Sequence, residues 1–323
     1  MTTATSLFAP VENDLSLLIN NLTSLVEAQH PILGAAAEHL FSAGGKRIRP
    51  AIVLLVSRAT MNGQEITTRH RRLAEITEMI HTASLVHDDV VDDAQLRRQV
   101  PTVNTLFGNR IAVLAGDFLF AQSSWYLANL DNLQVVKLLS EVIRDFAEGE
   151  IQQGLGCFDT DVSLEKYLQK SYLKTASLIA NSGKAAAVLS NTGEEIANKI
   201  YSYGRNLGLA FQIVDDIFDF TASEEVLGKP VASDLASGII TAPVLFAMTE
   251  KPALKILIER EFSEEGDLAQ GLELVHNSNG IEKSRALAFQ HSQLALQDLQ
   301  CLPKSPATDS LKELTDYVLS RIK

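Results

Sequence analysis

Apolar residues recur every three or four positions along most of this chain, which is the spacing of the buried face of an α-helix. Near the N-terminus, for example, Leu15, Leu18, Leu22 and Leu25 follow this period. The alternation of apolar and polar residues that is typical of strands is nearly absent. The pattern therefore predicts an all-α protein.

The periodic segments predict helices separated by turns that contain glycine or proline. Helices are expected over residues 15–26, 31–41, 51–60, 67–93, 109–130, 135–154, 163–173, 174–191 and 194–220. Pro50 is suited to the first position of the third of these helices. Residues 221–238 are expected to form a mobile loop, and shorter helices should fill residues 239–322.

Composition narrows the class of protein. The chain has 323 residues, of which 46% are hydrophobic, so one large domain or two fused domains could form. A formal net charge of −12 argues against nucleic-acid binding. Two cysteines suggest a reducing compartment. Since no apolar run reaches eighteen residues and no signal-peptide core is present, we expect no transmembrane segment and no export.

An acidic cluster ends the segment predicted to be a helix over residues 67–93. Asp88 and Asp92 are four residues apart, so both lie on one helix face, and Asp89 lies between them in sequence. Hard divalent cations such as Mg²⁺ prefer carboxylate and phosphate oxygens. Arg97 and Arg98 follow, and their planar side chains suit phosphate. This stretch predicts a site for Mg²⁺ and phosphate together.

The same acidic spacing returns at Asp215, Asp216 and Asp219. Either cluster alone is most simply interpreted as a solvated helix end. Both clusters lie in apolar surroundings, however, and carboxylates are seldom buried without partners. The repetition therefore favours two metal-binding clusters over two solvated faces.

With these motifs the chain resembles the trans-isoprenyl diphosphate synthases, or polyprenyl synthases, over about residues 12–322. It is most similar to the medium- and long-chain members of cyanobacteria and plastids, such as solanesyl diphosphate synthases. The resemblance is carried by Gly-Gly-Lys-Arg-Ile-Arg-Pro at 44–50, the two aspartate clusters, Lys174-Thr175, Phe211-Gln212, Gly228-Lys229-Pro230 and Ser233-Asp234.

The resemblance implies condensation of an allylic diphosphate with isopentenyl diphosphate, with several Mg²⁺ ions per active site. The implied metal ligands are Asp88, Asp92, Asp215 and Asp219, with Asp89 and Asp216 either assisting them or acting indirectly. The implied isopentenyl diphosphate pocket contains Lys46, Arg49, His81 and Arg98. The implied allylic site contains Arg97, Lys174, Thr175, Gln212 and a closing Lys229. The residues expected nearest the chemistry are Asp88, Asp92, Lys174, Thr175 and Asp215.

Three stretches of the sequence depart from the family's usual pattern. Gln99 stands where a glycine usually follows the arginine pair, so the turn there is expected to differ. Ile239 removes a phosphate contact that relatives have. Val231 and Ala232 replace a stretch that commonly contains glycine. None of these changes removes an expected ligand, so activity is still expected.

The family's fold implies one all-α domain over residues 1–323, a helical bundle around a deep central cavity with the two clusters facing each other. It also implies a homodimer. We expect a cyanobacterial cytoplasmic or plastid stromal enzyme with at most transient membrane contact for product release. A non-catalytic partner subunit, a class I terpene cyclase and a helical scaffold are the alternatives, and two complete clusters disfavour them.

Product length should depend on the helix that carries Asp88. Ala83 and Ser84 lie about one turn before Asp88, and both are small where short-chain relatives tend to have an aromatic ring. A growing chain could then pass toward Ile80 and Ile76. The expected product is the nine-unit chain that precedes plastoquinone, and a shorter geranylgeranyl-type product is the alternative.

Overall fold

The structure is a computed structural model that describes residues 7–26, 31–42, 44–222 and 231–322. Within these ranges nearly all regular structure is helical, and the strands are confined to one short hairpin. The all-α prediction is therefore confirmed.

The helix boundaries follow the predicted segments closely. The first set comprises α1 (Glu12–Leu25), α2 (Pro31–Ser42), α3 (Ile48–Thr60), α4 (Thr68–Val91), α5 (Val103–Phe107), α6 (Asn109–Ala128) and α7 (Leu133–Leu155). The second set comprises α8 (Leu164–Ser171), a π-helical turn (Tyr172–Ala176), α9 (Ser177–Leu189), α10 (Glu194–Thr221), α11 (Ser233–Ala236), α12 (Ala242–Glu250), α13 (Ala253–Glu259), α14 (Asp267–His276), α15 (Gly280–Asp298) and α16 (Pro306–Ser320). Short 3₁₀ turns occupy Ala9–Val11 and Leu299–Cys301.

The start of α3 differs from the expectation. The helix begins at Ile48, two residues before Pro50, and Arg47 precedes it in a left-handed conformation with φ 49°. Proline is tolerated at Pro50 because the N–H groups of a helix's first turn have no partner within the helix. The expected helix start at Ala51 was therefore wrong by one turn.

The stretch between the predicted helices 67–93 and 109–130 contains a β-hairpin. Strand β1 (Leu96–Arg97) pairs antiparallel with β2 (Val100–Pro101), and Arg97 lies opposite Val100. Arg98 and Gln99, the two turn residues, have φ of 54° and 65°. Positive φ at both central residues is the geometry of a type I′ turn, which normally favours Asn or Gly. The departure at Gln99 therefore coincides with a backbone conformation that suits glycine.

Backbone contacts divide the chain into two compact units. Unit 1 comprises Met1–Ile143, Leu178–Tyr201 and Leu299–Glu313, and it contains the first aspartate cluster. Unit 2 comprises Arg144–Ser177, Ser202–Asp298 and Leu314–Lys323, and it contains the second cluster. That the whole chain forms one domain remains a prediction.

In unit 1 the core holds α4 against α3 and α6. The fully buried side chains of α4 include Leu73, Ile76, Met79 and Ile80. Burial of each such side chain contributes about 1.5–3 kcal/mol, so the helix that ends in the first cluster is firmly anchored. In unit 2, α12 packs on α15 and α13 packs on α14.

Helix α6 is, among the described residues, the one helix long and apolar enough to cross a membrane by length and composition. The expectation of no such segment rested on uninterrupted apolar runs, and α6 is interrupted by Arg110 and Asp117. A core helix of a soluble protein passes the same test. A single such helix is weak evidence for a membrane span, and 33% of its apolar window, including Ala112, Ala115 and Leu119, is buried within the protein.

Candidate active site

Of the outer aspartates of the first cluster, Asp88 lies in the final turn of α4 and Asp92 is the residue at its C-terminal cap. The backbone N–H of Asp92 donates to the carbonyl of Asp88 over 2.8 Å, which keeps the two residues one helical turn apart. Asp88 is half-buried and Asp92 is exposed. Asp93 then takes a left-handed conformation with φ 49° and the helix ends. Two carboxylates are therefore presented on one helix face at an accessible edge of unit 1.

The middle aspartate of this cluster is bound by the hairpin. Asp89 is 3% exposed, and its Oδ1 accepts from Nε and Nη2 of Arg97 at 2.8 and 2.7 Å. Asn104 also donates to the Asp89 carbonyl over 3.3 Å. Arg97 is thus fixed beside the cluster, and its side chain stays 37% exposed, which leaves part of the guanidinium accessible to a diphosphate.

A group of basic side chains lies near the hairpin turn in unit 1 and lines one small cavity with Asp89. Arg49 donates from Nη1 to Nε2 of His81 over 3.0 Å. An arginine has no acceptor, so Nε2 of His81 must carry the lone pair and its proton must sit on Nδ1. Burial, followed by the positive charges of nearby arginines, lowers the pKa of His81 well below 6.5. His81 is therefore a neutral member of a cationic group.

The glycine loop at the start of the Gly-Gly-Lys-Arg-Ile-Arg-Pro motif contacts the second arginine of the pair. Arg98 donates to the carbonyl of Gly44. Gly44 and Gly45 have φ of 72° and 146°, and a side chain at Gly45 would collide with the Arg98 guanidinium. His81, Arg97 and Arg98 line one small cavity with Gly44. Lys46, from the same loop, is exposed.

Arg47 was not predicted as a site residue, although it lies inside the motif. It forms an ion pair with Glu78 of α4 and donates to the Phe41 carbonyl over 3.0 Å. The contact ties the glycine loop to the helix that carries His81. Its partner is 31 residues away, so no local spacing in the sequence indicated it.

The first aspartate of the second cluster has a partner near the C-terminus. Arg321 approaches Asp215 to 2.8 Å, and its guanidinium lies over the ring of Phe218 at 4.8 Å. Asp215 remains 39% exposed. No sequence pattern predicted this pair, because 106 positions separate the two residues and Arg321 lies outside the motifs.

The middle aspartate of the second cluster lies inside a hydrogen-bond chain in unit 2. Asp216 is 3% exposed and accepts from Tyr167 Oη at 2.6 Å and from Gln212 Nε2 at 2.8 Å. Gln212 in turn accepts from Thr175 Oγ1 at 2.6 Å. Burial raises the pKa of Asp216 to about 7, although both hydrogen bonds oppose that rise. These hydrogen bonds bring Thr175, Gln212 and Asp216 together within unit 2.

The last aspartate of the second cluster holds the start of α11. Asp219 is 1% exposed and accepts from Ser233 Oγ at 3.1 Å and from the Asp234 backbone N–H at 3.2 Å. Ala232 stands in a left-handed conformation with φ 58°, which glycine adopts more readily than alanine. Asp219 therefore connects α10 to the Ser-Asp motif.

Lys174 and Thr175 lie on the π-helical turn between α8 and α9. Such turns are frequent at functional sites because they displace side chains from the regular helical register. Lys174 forms an ion pair with Glu150 of α7 over 2.5 Å. Ile239 lines a cavity of about 660 Å³ in unit 2, together with Tyr167 and Lys170. Lys229 lies outside the described residues.

The donor set is consistent with a divalent cation that is shared with substrate. Among the residues that the structure describes, no group of three or more His, Cys, Asp or Glu side chains is arranged to hold a metal alone. Mg²⁺ usually binds one or two carboxylates together with substrate phosphates and waters. The outer pair Asp88 and Asp92 provides such a partial set, and Asp89, Asp215, Asp216 and Asp219 each contact protein groups as well.

Sequence comparison gives this site its context. The family model described as polyprenyl synthetase matches residues 30–275. A prenyl transferase of Synechocystis sp. is 70% identical over 322 residues, which is 100% of both chains. The chloroplastic solanesyl-diphosphate synthase 2 of Oryza sativa subsp. japonica is 57% identical, with 98% of this chain and 79% of that protein covered.

Comparison of structures gives a matching result. A polyprenyl synthase of Caulobacter crescentus, crystallised with calcium and isoprenyl diphosphate, superposes with a TM-score of 0.91 at 32% identity. The match covers 98% of each chain. The helical architecture is therefore that of solved polyprenyl synthases.

Proposed function

The chain belongs to the polyprenyl synthetase family and is a prenyltransferase, and we propose that it extends an allylic diphosphate with successive isopentenyl diphosphate units. One observation carries the assignment of its two substrate sites. The hairpin turns Arg97 toward Asp89 of the acidic cluster and Arg98 toward Gly44 of the basic pocket. Consecutive arginines thus serve a carboxylate-rich site and a cationic site.

The allylic diphosphate is assigned to the acidic clusters. Asp88 and Asp92 in unit 1, and Asp215 and Asp219 in unit 2, are the oxygen donors proposed to hold Mg²⁺. When bound, Mg²⁺ neutralises the diphosphate and makes it a better leaving group. Arg97 in unit 1 and Lys174 in unit 2 are each assigned to the allylic diphosphate as a source of positive charge. The hydroxyl dipole of Thr175 and the amide dipole of Gln212 stabilise the positive charge that develops on the allylic carbon.

Isopentenyl diphosphate is assigned to the basic pocket. Lys46, Arg49 and Arg98 would bind its diphosphate, while neutral His81 keeps Arg49 in place. The two carboxylates that also line this cavity, Glu78 and Asp89, are paired with Arg47 and Arg97. In the condensation the allylic carbon–oxygen bond breaks, a carbon–carbon bond to isopentenyl diphosphate forms, and a proton leaves the joined chain.

A nine-unit product is supported by the small residues before Asp88. Ala83 is fully buried on α4, with Ile80 and Ile76 buried one and two turns further from the cluster. None is aromatic, and Ser84, next to Ala83, is half-buried. The rice relative carries the name of a solanesyl-diphosphate synthase, which agrees with this length.

A homodimer is proposed from an apolar surface on α6. Val113, Leu114 and Trp125 are 40%, 46% and 64% exposed. Exposed apolar side chains on one helix are typical of protein interfaces.

The Synechocystis and chloroplastic relatives support a location in a cyanobacterial cytoplasm or plastid stroma. Sedimentation of the purified chain tests the dimer, and sizing of products made from labelled isopentenyl diphosphate tests the reaction.

A further inference from the structure

The ion pair between Lys174 and Glu150 joins a residue of the proposed allylic site to one that no motif identified. The Lys174 ammonium lies 2.5 Å from a carboxylate oxygen of Glu150. The side chains are 23% and 25% exposed, so the pair is largely shielded from water. A shielded pair of this kind restricts the ammonium more than an exposed surface pair would.

The aliphatic part of the Lys174 side chain is also restricted, by its packing against Gly149. Gly149, the neighbour of Glu150 on α7, is buried. A Cβ added there would lie 2.9 Å from Cγ of Lys174 and 3.1 Å from Cβ of Leu173. The absence of a side chain at Gly149 therefore makes the space through which the Lys174 stem passes. Two successive residues of α7 thus position Lys174: Gly149 leaves room for its aliphatic chain, and Glu150 binds its ammonium.

We propose that Glu150 is a positioning residue that holds the Lys174 ammonium in its working place before the allylic diphosphate arrives. This inference rests on the proposed function, because it takes Lys174 as a ligand of that diphosphate. An ammonium has three donors. One donor can stay on Glu150 while the other two engage phosphate oxygens, so the ion pair need not break when substrate binds.

This role predicts a particular kinetic signature. In Glu150→Gln, Lys174 keeps its charge and the space beside Gly149 but loses its ion pair. Allylic diphosphate should still bind, because the local positive charge is undiminished. The displaced Lys174 ammonium should stabilise the negative charge on the departing diphosphate less effectively, so kcat should fall about tenfold. KM for isopentenyl diphosphate should not change, since its proposed pocket is built from other residues.

A double-mutant cycle separates positioning from a structural effect. Glu150→Gln is measured alone and in a Lys174→Ala background, and its effect on kcat should disappear when the lysine is absent. Gly149→Ala, which moves the lysine stem without changing charge, should lower kcat in the same way and should also lose its effect in that background. Binding of a non-reacting allylic thiolodiphosphate provides a readout apart from turnover.

Glu148→Gln is the matched control. Glu148 lies on the same helix, is 55% exposed and contacts Arg144 at 3.5 Å, so its loss should leave kcat unchanged. If Glu150→Gln is as active as wild type, or costs as much without Lys174 as with it, the inference is overturned. If wild type condenses no substrate at all, the proposed function itself fails, which is a different result.

Discussion

Arg49 donates a hydrogen bond from Nη1 to Nε2 of His81 across 3.0 Å. The contact makes the histidine an acceptor, so the imidazole is neutral and orients the guanidinium instead of adding charge. Positive charge for phosphate in this pocket therefore comes from Arg49, Arg98 and Lys46.

Removing a cation from the basic pocket should weaken isopentenyl diphosphate binding. Lys46→Ala, Arg49→Ala and Arg98→Ala each delete a charge-assisted contact worth about 1.5–3 kcal/mol, or roughly ten- to a hundredfold in affinity. Equilibrium titration without metal measures the loss. Lys137→Ala, which removes an exposed lysine on α7, is the control. Wild-type affinity in all three variants would mean that the pocket is assigned to the wrong residues.

Glycine at position 99 should stabilise the hairpin. Gln99 has φ 65°, a conformation that costs an L-residue about 1–2 kcal/mol. Gln99→Gly removes that cost but adds freedom to the unfolded chain, so a net gain of up to about 1 kcal/mol is expected. Ala94→Gly, at a position without positive φ, should instead destabilise. Urea unfolding of both variants checks the opposite signs, and a loss of stability in Gln99→Gly would contradict the assigned turn.

Acid should destabilise the fold through His70. Its Nδ1 accepts from the Thr67 backbone N–H at 3.1 Å and its Nε2 lies 3.0 Å from Ser190 Oγ. Burial lowers the pKa of His70 from 6.5 to about 4. Between those values the unfolded chain binds the extra proton, so stability falls as pH drops from about 6.5 toward 4.

Urea midpoints at pH 7.5 and pH 5 measure this dependence. His70→Gln removes the titrating group, so the drop between the two pH values should be smaller than in wild type. An equal drop in both proteins would show that His70 does not contribute to the acid sensitivity.

A bulky residue below the first cluster should shorten the product. Ala83 is fully buried on α4, and packed interiors do not easily accept added volume. Ala83→Phe should therefore limit products to three or four units while early condensations keep their rate. Chromatographic sizing of labelled products gives the answer. A full-length product from a folded Ala83→Phe protein would rule out this path for the growing chain.

Much of this structure was predictable because its signals are local. Helical periodicity gave the segments around α4 and α10, and the spacing of Asp88 and Asp92 correctly indicated one helix face. The helix start near Pro50 was misplaced, since proline is tolerated anywhere in a first turn. The hairpin was missed because Gln99 stands where a type I′ turn normally shows glycine or asparagine.

The partners of the site residues were not predictable. Tyr167 reaches Asp216 from 49 positions away, and Arg321 reaches Asp215 from 106. Such pairs depend on tertiary packing, and no period or spacing in a single sequence encodes them. The closer pair of Asp89 and Arg97 was also missed, because a hairpin was needed to fold the arginine back.

The most direct test of the central claim is incorporation of labelled isopentenyl diphosphate onto an allylic primer, with product sizing. Wild type with Mg²⁺ should make a long polyprenyl diphosphate. With chelator it should still bind isopentenyl diphosphate but turn nothing over. Folded Asp88→Ala and Asp215→Ala should each lose about a hundredfold or more in turnover. Near-wild-type turnover in either variant, or metal-independent condensation, would contradict the assignment of the two clusters.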